Sequence, residues 1–162
     1  MPHASHRLDL LVVASQPSQM VDEERVKALF HGWNVNELGQ SDHLDQVIEG
    51  GCARVWLDRP GRTILYANLS GGFRAQCAGC GHNLAGPFGV AYRAWKLGAS
   101  RSLVCPGCGS DQPLETVVLK PPGAFSPWAI VFSDVESTTL NVEAQQEIEA
   151  AVGDYRVILR RP

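Results

Sequence analysis

The stretch Phe73–Gly109, FRAQCAGCGHNLAGPFGVAYRAWKLGASRSLVCPGCG, holds four of the five cysteines of this 162-residue chain, arranged as two CxxCG units. In a CxxC turn both sulfurs point the same way, and the glycine that follows each unit, Gly81 or Gly109, permits the positive φ that turns backbone N–H groups toward thiolates. Cys77 with Cys80 and Cys105 with Cys108 are therefore expected to close around one metal ion. The pairs are separated by the 24 residues from Gly81 to Val104, slightly more than is usual for paired CxxC sites. Four thiolates complete a tetrahedral shell and leave no open position for a catalytic water.

Each knuckle has strand-forming flanks. Residues 73–76 lead into the first, 102–104 lead into the second, and 115–120 (ETVVLK) lead out. Over residues 73–120 the chain thus resembles zinc-ribbon proteins, and the resemblance implies a metal-stabilised pair of hairpins with zinc as the metal. LVCPGCG followed by Glu115 also resembles the second knuckle of a rubredoxin, which implies iron and electron transfer as the alternative. The spacer lacks the acidic, aromatic-rich character typical of that family, and thiolate sites accept both metals. Disulfides fit poorly, because no secretory leader opens the chain and Cys52 would be left over.

Composition bounds the rest. A chain of this length buries roughly 70% of its unfolded surface and so has a core independent of any metal. No apolar run approaches the roughly 20 residues of a membrane span, and reduced thiols point to the cytoplasm. The net charge is −3; four thiolates and one dication change it to −5, which disfavours non-specific nucleic-acid binding. Yet Ser70–Ser110 contains no Asp or Glu while carrying Arg74, Arg93, Lys96 and Arg101. These four cations, with Tyr92 and Trp95, form the candidate interaction face, with a protein expected as partner before nucleic acid.

Outside the cysteine segment, residues 1–7 read as a disordered leader and Leu8–Ala14 as a buried first strand. A helix over residues 21–31 places Val26, Leu29, Phe30 and Trp33 on one stripe, with Gly32 as its left-handed cap. Ser41–Glu49 reads as a second short helix ended by Gly50-Gly51. Residues 53–58 and 63–69 read as a hairpin across the type II turn Arg59-Pro60-Gly61-Arg62. A short helix is expected over 91–97, with Phe88, Tyr92 and Trp95 forming a small core. Lys120–Pro127 reads as a proline-rich connector, 128–134 as a central strand, 142–152 as a helix capped by Asn141, and 155–161 as a last strand.

This order predicts an α+β fold: a two-layer sandwich with a mostly antiparallel sheet, related to the ferredoxin-like arrangement, formed by residues 8–72 and 121–162, with the ribbon 73–120 inserted. No phosphate loop, GxSxG elbow or HExxH helix is present. The run VFSDVESTTL (131–140) resembles the metal-binding strand of nucleotidyl cyclases, with Asp134 at the aspartate; Ser137 stands where that pattern has glycine, and only 28 residues follow Asp134. Asp42, His43 and Asp45 read as a solvated first turn, and His82 as a neighbour of the thiolates. The sequence thus points to a zinc-binding, non-enzymatic module, with a small enzyme using the α+β body as a further alternative.

Overall fold

The computed structural model describes residues 7–68 and 72–162. It is an α+β structure that divides into two compact units, one formed by the segments up to Asn68 and from Ala124 on, the other by the segment between them. The expected leader falls, apart from Arg7, outside the described residues, as do Leu69, Ser70 and Gly71.

The first unit is built on a four-stranded antiparallel sheet. Its strands β1 (Asp9–Ala14), β2 (Arg54–Asp58), β9 (Ala129–Ser133) and β10 (Tyr155–Arg160) lie in the order β10-β1-β9-β2. Leu11 stands opposite both Ile158 and Val131, and Val55 opposite Phe132. Every residue of β1 is buried. Such an uninterrupted apolar run requires cover on both faces.

On one face Leu10, Val12, Ile130, Phe132 and Val55 meet Val26 and Leu29 of helix α1 (Glu23–Gly32) and Ala144, Ile148 and Val152 of helix α3 (Val142–Val152). On the other, Leu11, Val13, Val131 and Ile158 meet Tyr66 and Ala124, which belong to the paired strands β3 (Ile64–Ala67) and β8 (Gly123–Ser126). Each fully buried aliphatic side chain contributes about 1.5–3 kcal/mol of transfer free energy.

Several expectations are corrected here. Residues 53–58 and 63–69 do not form a hairpin: β2 joins β9, and β3 joins β8. Gly61 does take the positive φ of +81°. The turn nevertheless carries the chain from the sheet to the layer against its second face, where the Tyr66 hydroxyl donates to Asp58 Oδ2 at 2.7 Å. Gly32 is not a left-handed cap: it is the last residue of helix α1, the Trp33 N–H still bonds Leu29 O, and Asn34, at φ +57°, takes the left-handed position, while the Trp33 indole lies 6.1 Å from the Phe132 ring.

Residues 41–49 form only a short 3₁₀ turn at Leu44–Gln46. The backbone of 47–49 is engaged elsewhere, with Asn141 N–H bonded to Val47 O and Glu49 N–H to Thr139 O, so the i→i+4 ladder cannot continue. The expected connector 120–127 carries β8, whose Ser126 Oγ accepts the Ala14 N–H at 3.0 Å. Asn141 precedes α3 as expected, but makes no side-chain cap; its Nδ2 donates to Gln46 O instead.

The second unit contains β4 (Arg74–Gln76), helix α2 (Ala85–Lys96), β5 (Ser102–Val104), β6 (Asp111–Pro113), a 3₁₀ turn at Leu114–Thr116 and β7 (Val118–Lys120). Antiparallel pairs β4–β7 and β5–β6 frame it. Helix α2 starts well before the expected residue 91, and the segment after the second knuckle is broken by the 3₁₀ turn instead of running extended from 115. Phe88, Leu84, Leu103, Leu114 and Leu119 are buried within this unit. The rings Phe73, Phe88, Tyr92 and Trp95 follow one another at centroid spacings of 5.9, 6.2 and 5.9 Å.

Candidate metal centre

The two knuckles repeat one backbone design. In the first, Cys77 N–H bonds His82 O at 3.0 Å and Gly81 N–H bonds Cys77 O at 2.9 Å; in the second, Cys105 N–H bonds Ser110 O at 2.9 Å and Gly109 N–H bonds Cys105 O at 2.8 Å. Gly81 and Gly109 share φ +73°, a conformation that costs any other L-residue strain. A short ladder supports each turn: Gln76 bridges to Asn83 in the first, and β5 pairs with β6 in the second. The strand leaving the second knuckle is therefore 111–113, sooner than the sequence suggests.

This design brings all four sulfurs to within 4.8 Å of one another. The short separations run across the knuckles, Cys77 Sγ to Cys108 Sγ at 3.8 Å and Cys80 Sγ to Cys105 Sγ at 3.6 Å. A tetrahedron with metal–sulfur bonds of about 2.3 Å has sulfur–sulfur edges of about 3.8 Å, so the four thiols are spaced as the ligands of one ion. All are unbridged. Cys77 and Cys105 are buried, whereas Cys80 and Cys108 face solvent.

Hydrogen bonding divides the sulfurs into stabilised and destabilised anions. Gln112 Nε2 donates to Cys77 Sγ at 3.3 Å, and with the backbone N–H groups of Cys80 and Gly79 it lowers the Cys77 thiol to about 6. Ser110 lowers Cys108 through its hydroxyl, 3.1 Å from the sulfur, and its backbone N–H. At Cys80 the His82 N–H favours the thiolate, but burial and the bonds to Cys105, Cys108 and Cys77 outweigh it and push the thiol up to about 12. Packed sulfurs oppose the accumulation of negative charge, and a bound dication is what relieves that opposition.

His82 supports the cluster through its backbone. Its ring lies against Gly107 of the opposite knuckle, where a Cβ would stand 2.9 Å from His82 Cβ, Cγ and Nδ1. Gln112 and Ser110 were not legible as partners of the sulfurs, because β6 had no alternating apolar signal in DQP.

The candidate interaction residues are more dispersed. Arg93 and Lys96 are exposed on α2. Arg101 is turned inward, 3.2 Å from Glu115 and over the Trp95 ring at 5.6 Å. Lys96 lies over Tyr92 at 5.1 Å, and the other side of that series is Phe88. Tyr92 and Trp95 are thus half-buried members of the aromatic series.

Asp42, His43 and Asp45 are exposed. Asp134 is an exposed turn residue at φ +55°, its N–H bonded to Asp9 Oδ1. Among the described residues the four cysteines alone form a group able to hold a metal ion, and no helix is long and apolar enough to cross a membrane. Comparisons with protein-family models, with curated proteins and with solved structures find no match, so the functional reading rests on the geometry of the chain itself.

Proposed function

We propose that Cys77, Cys80, Cys105 and Cys108 hold one zinc ion in a closed structural site, and that the surrounding ribbon is a non-enzymatic interaction module carried by a ferredoxin-like α+β body. The carrying observation is the spacing of the sulfurs, 3.6 and 3.8 Å across the knuckles, which suits a tetrahedral ion with no vacant position. Such an ion gives shape and local stability but activates neither water nor substrate. For the body, the reading is supported by its β-α-β-β-α-β order around the sheet β10-β1-β9-β2, with β3 and β8 as an added pair.

Zinc is favoured over iron by the segment between the knuckles, which holds no acidic residue and half of which folds as helix α2. Metal analysis and a visible spectrum of the purified protein test the assignment. One equivalent of zinc in a colourless solution supports it. A red iron form would replace it with rubredoxin-like electron transfer, and a metal-free protein with four reactive thiols would end both readings.

A further inference from the structure

Pairing of β4 with β7 sets Arg74 directly opposite Lys120. Both side chains are exposed and neither has an ion-pair partner among the described residues. Like charges at directly opposed positions of an antiparallel pair are unfavourable. The two cations and Phe73, with Gly72, line a depression of about 270 Å³. On the same outward-facing positions the neighbouring cross-strand pair is Gln76 with Val118, and Val118 is exposed. This face therefore combines two uncompensated cations with a small amount of apolar surface.

We propose that this β4–β7 face is the docking surface of the ribbon, and that its occupant is an acidic peptide segment of a protein partner, with Arg74 and Lys120 receiving its carboxylates and Phe73 and Val118 its apolar neighbours. The proposal rests on the reading of the ribbon as an interaction module and supplies its partner class. It moves the contact away from α2, where the rings of Tyr92 and Trp95 are overlain by Lys96 and Arg101, the latter engaged by Glu115.

A single nucleic-acid strand fits this face less well. Base stacking needs a free aromatic surface, and a long polyanion would meet the acidic remainder of a chain whose net charge is −3 before metal is counted. A short acidic segment needs only the local pair of cations. Exposed ion pairs are each weak and screened by salt, so the interaction is weak and salt-sensitive.

The test uses the full chain with its metal, a fluorescent hexaglutamate peptide and, in parallel, a single-stranded oligonucleotide of equal charge, both at low salt. Expected is saturable binding of hexaglutamate that weakens about tenfold in the double variant Arg74→Gln with Lys120→Gln and is little changed in Arg93→Gln. Metal content of each variant is measured alongside, so that a collapsed ribbon is not mistaken for a lost contact. Hexaglutamate binding that ignores the double substitution, or absent even at low salt, would overturn the proposal while leaving the metal assignment intact. Tighter binding of the oligonucleotide through the same two cations would replace the peptide with nucleic acid.

Discussion

Gln112 Nε2 sits 3.3 Å from the Sγ of Cys77, so that a residue of β6, leaving the second knuckle, hydrogen-bonds a sulfur of the first. The two halves of the cluster are thereby joined by a side chain as well as by the sulfurs themselves. Its contribution is electrostatic, because a donor aimed at a thiolate favours the deprotonated form that binds metal.

Replacing Gln112 with Leu is accordingly expected to weaken metal binding by about tenfold, the lower end of what partners of metal ligands contribute. Competition against a chelator at fixed pH measures this. The loss should grow as pH falls, since the Cys77 thiol, no longer held near 6, competes more strongly for a proton. An unchanged affinity would show that the backbone N–H groups of Gly79 and Cys80 suffice.

Loss of a ligand has a larger and more local effect. Cys105→Ser is expected to release the metal and disorder residues 73–120 while the body keeps its helices and sheet, because binding energy in a structural site is also local folding energy. The buried residues of α1 and α3 pack against β1, β9 and β2, all within the other unit. Hydrogen exchange resolves the outcome, with protection lost in the ribbon and retained in β1 and β9. Cooperative loss of protection throughout would show that the two units fold as one.

Much of this was legible from local chemistry. The cysteine spacing and the glycines after each pair identified the cluster, and the apolar runs of β1 and β9 and the stripe of α3 located the central elements. Pairing was not legible. The type II turn at Pro60-Gly61 carries ordinary hairpin chemistry, yet its flanking strands serve different layers, a choice made by the cover that Leu11, Val13 and Val131 need on the second face of the sheet.

Helix α2 was underestimated because Gly86, Pro87 and Gly89 lower helix propensity in its first half. Phe88, buried at 1% exposure, holds that half in place by packing, and Asn83 Oδ1 accepts the Ala85 N–H at 3.0 Å. The opposition of Arg74 and Lys120 depends on a pairing across 46 residues, which no local pattern encodes.

Contact between the knuckles can be probed at Gly107. Alanine there would place its Cβ 2.9 Å from the His82 side chain, and a packed site forced apart by one methyl typically loses about 1–3 kcal/mol. His82 is exposed and can yield, so the lower end applies. Expected is a reduced melting temperature of the metal-loaded ribbon, largely restored when His82→Gly is added. Failure of the second substitution to restore stability would place the strain in the backbone of the turn.

Cys52 gives a pH signature that belongs to the body alone. Burial pushes its thiol from 9.0 to about 11, so at pH 8 only about one molecule in a thousand carries the reactive thiolate. Iodoacetamide labelling of the metal-loaded protein should therefore be slow at Cys52 and accelerate about tenfold per pH unit until pH approaches 11. The same shift fixes the sign of its effect on stability. The folded state holds the proton more tightly than the unfolded state, so this contribution is fully present below pH 9 and is lost as pH rises toward 11. Tyr66, raised by burial and by its bond to Asp58, and Tyr155, raised by burial and Glu149, act in the same direction. Denaturant unfolding followed between pH 8 and pH 11 should show falling stability of the body, with a shallower fall in Cys52→Ala. A slope identical in the two proteins would mean that the thiol is solvated in the folded state, and fast labelling of Cys52 at pH 8 would confirm it.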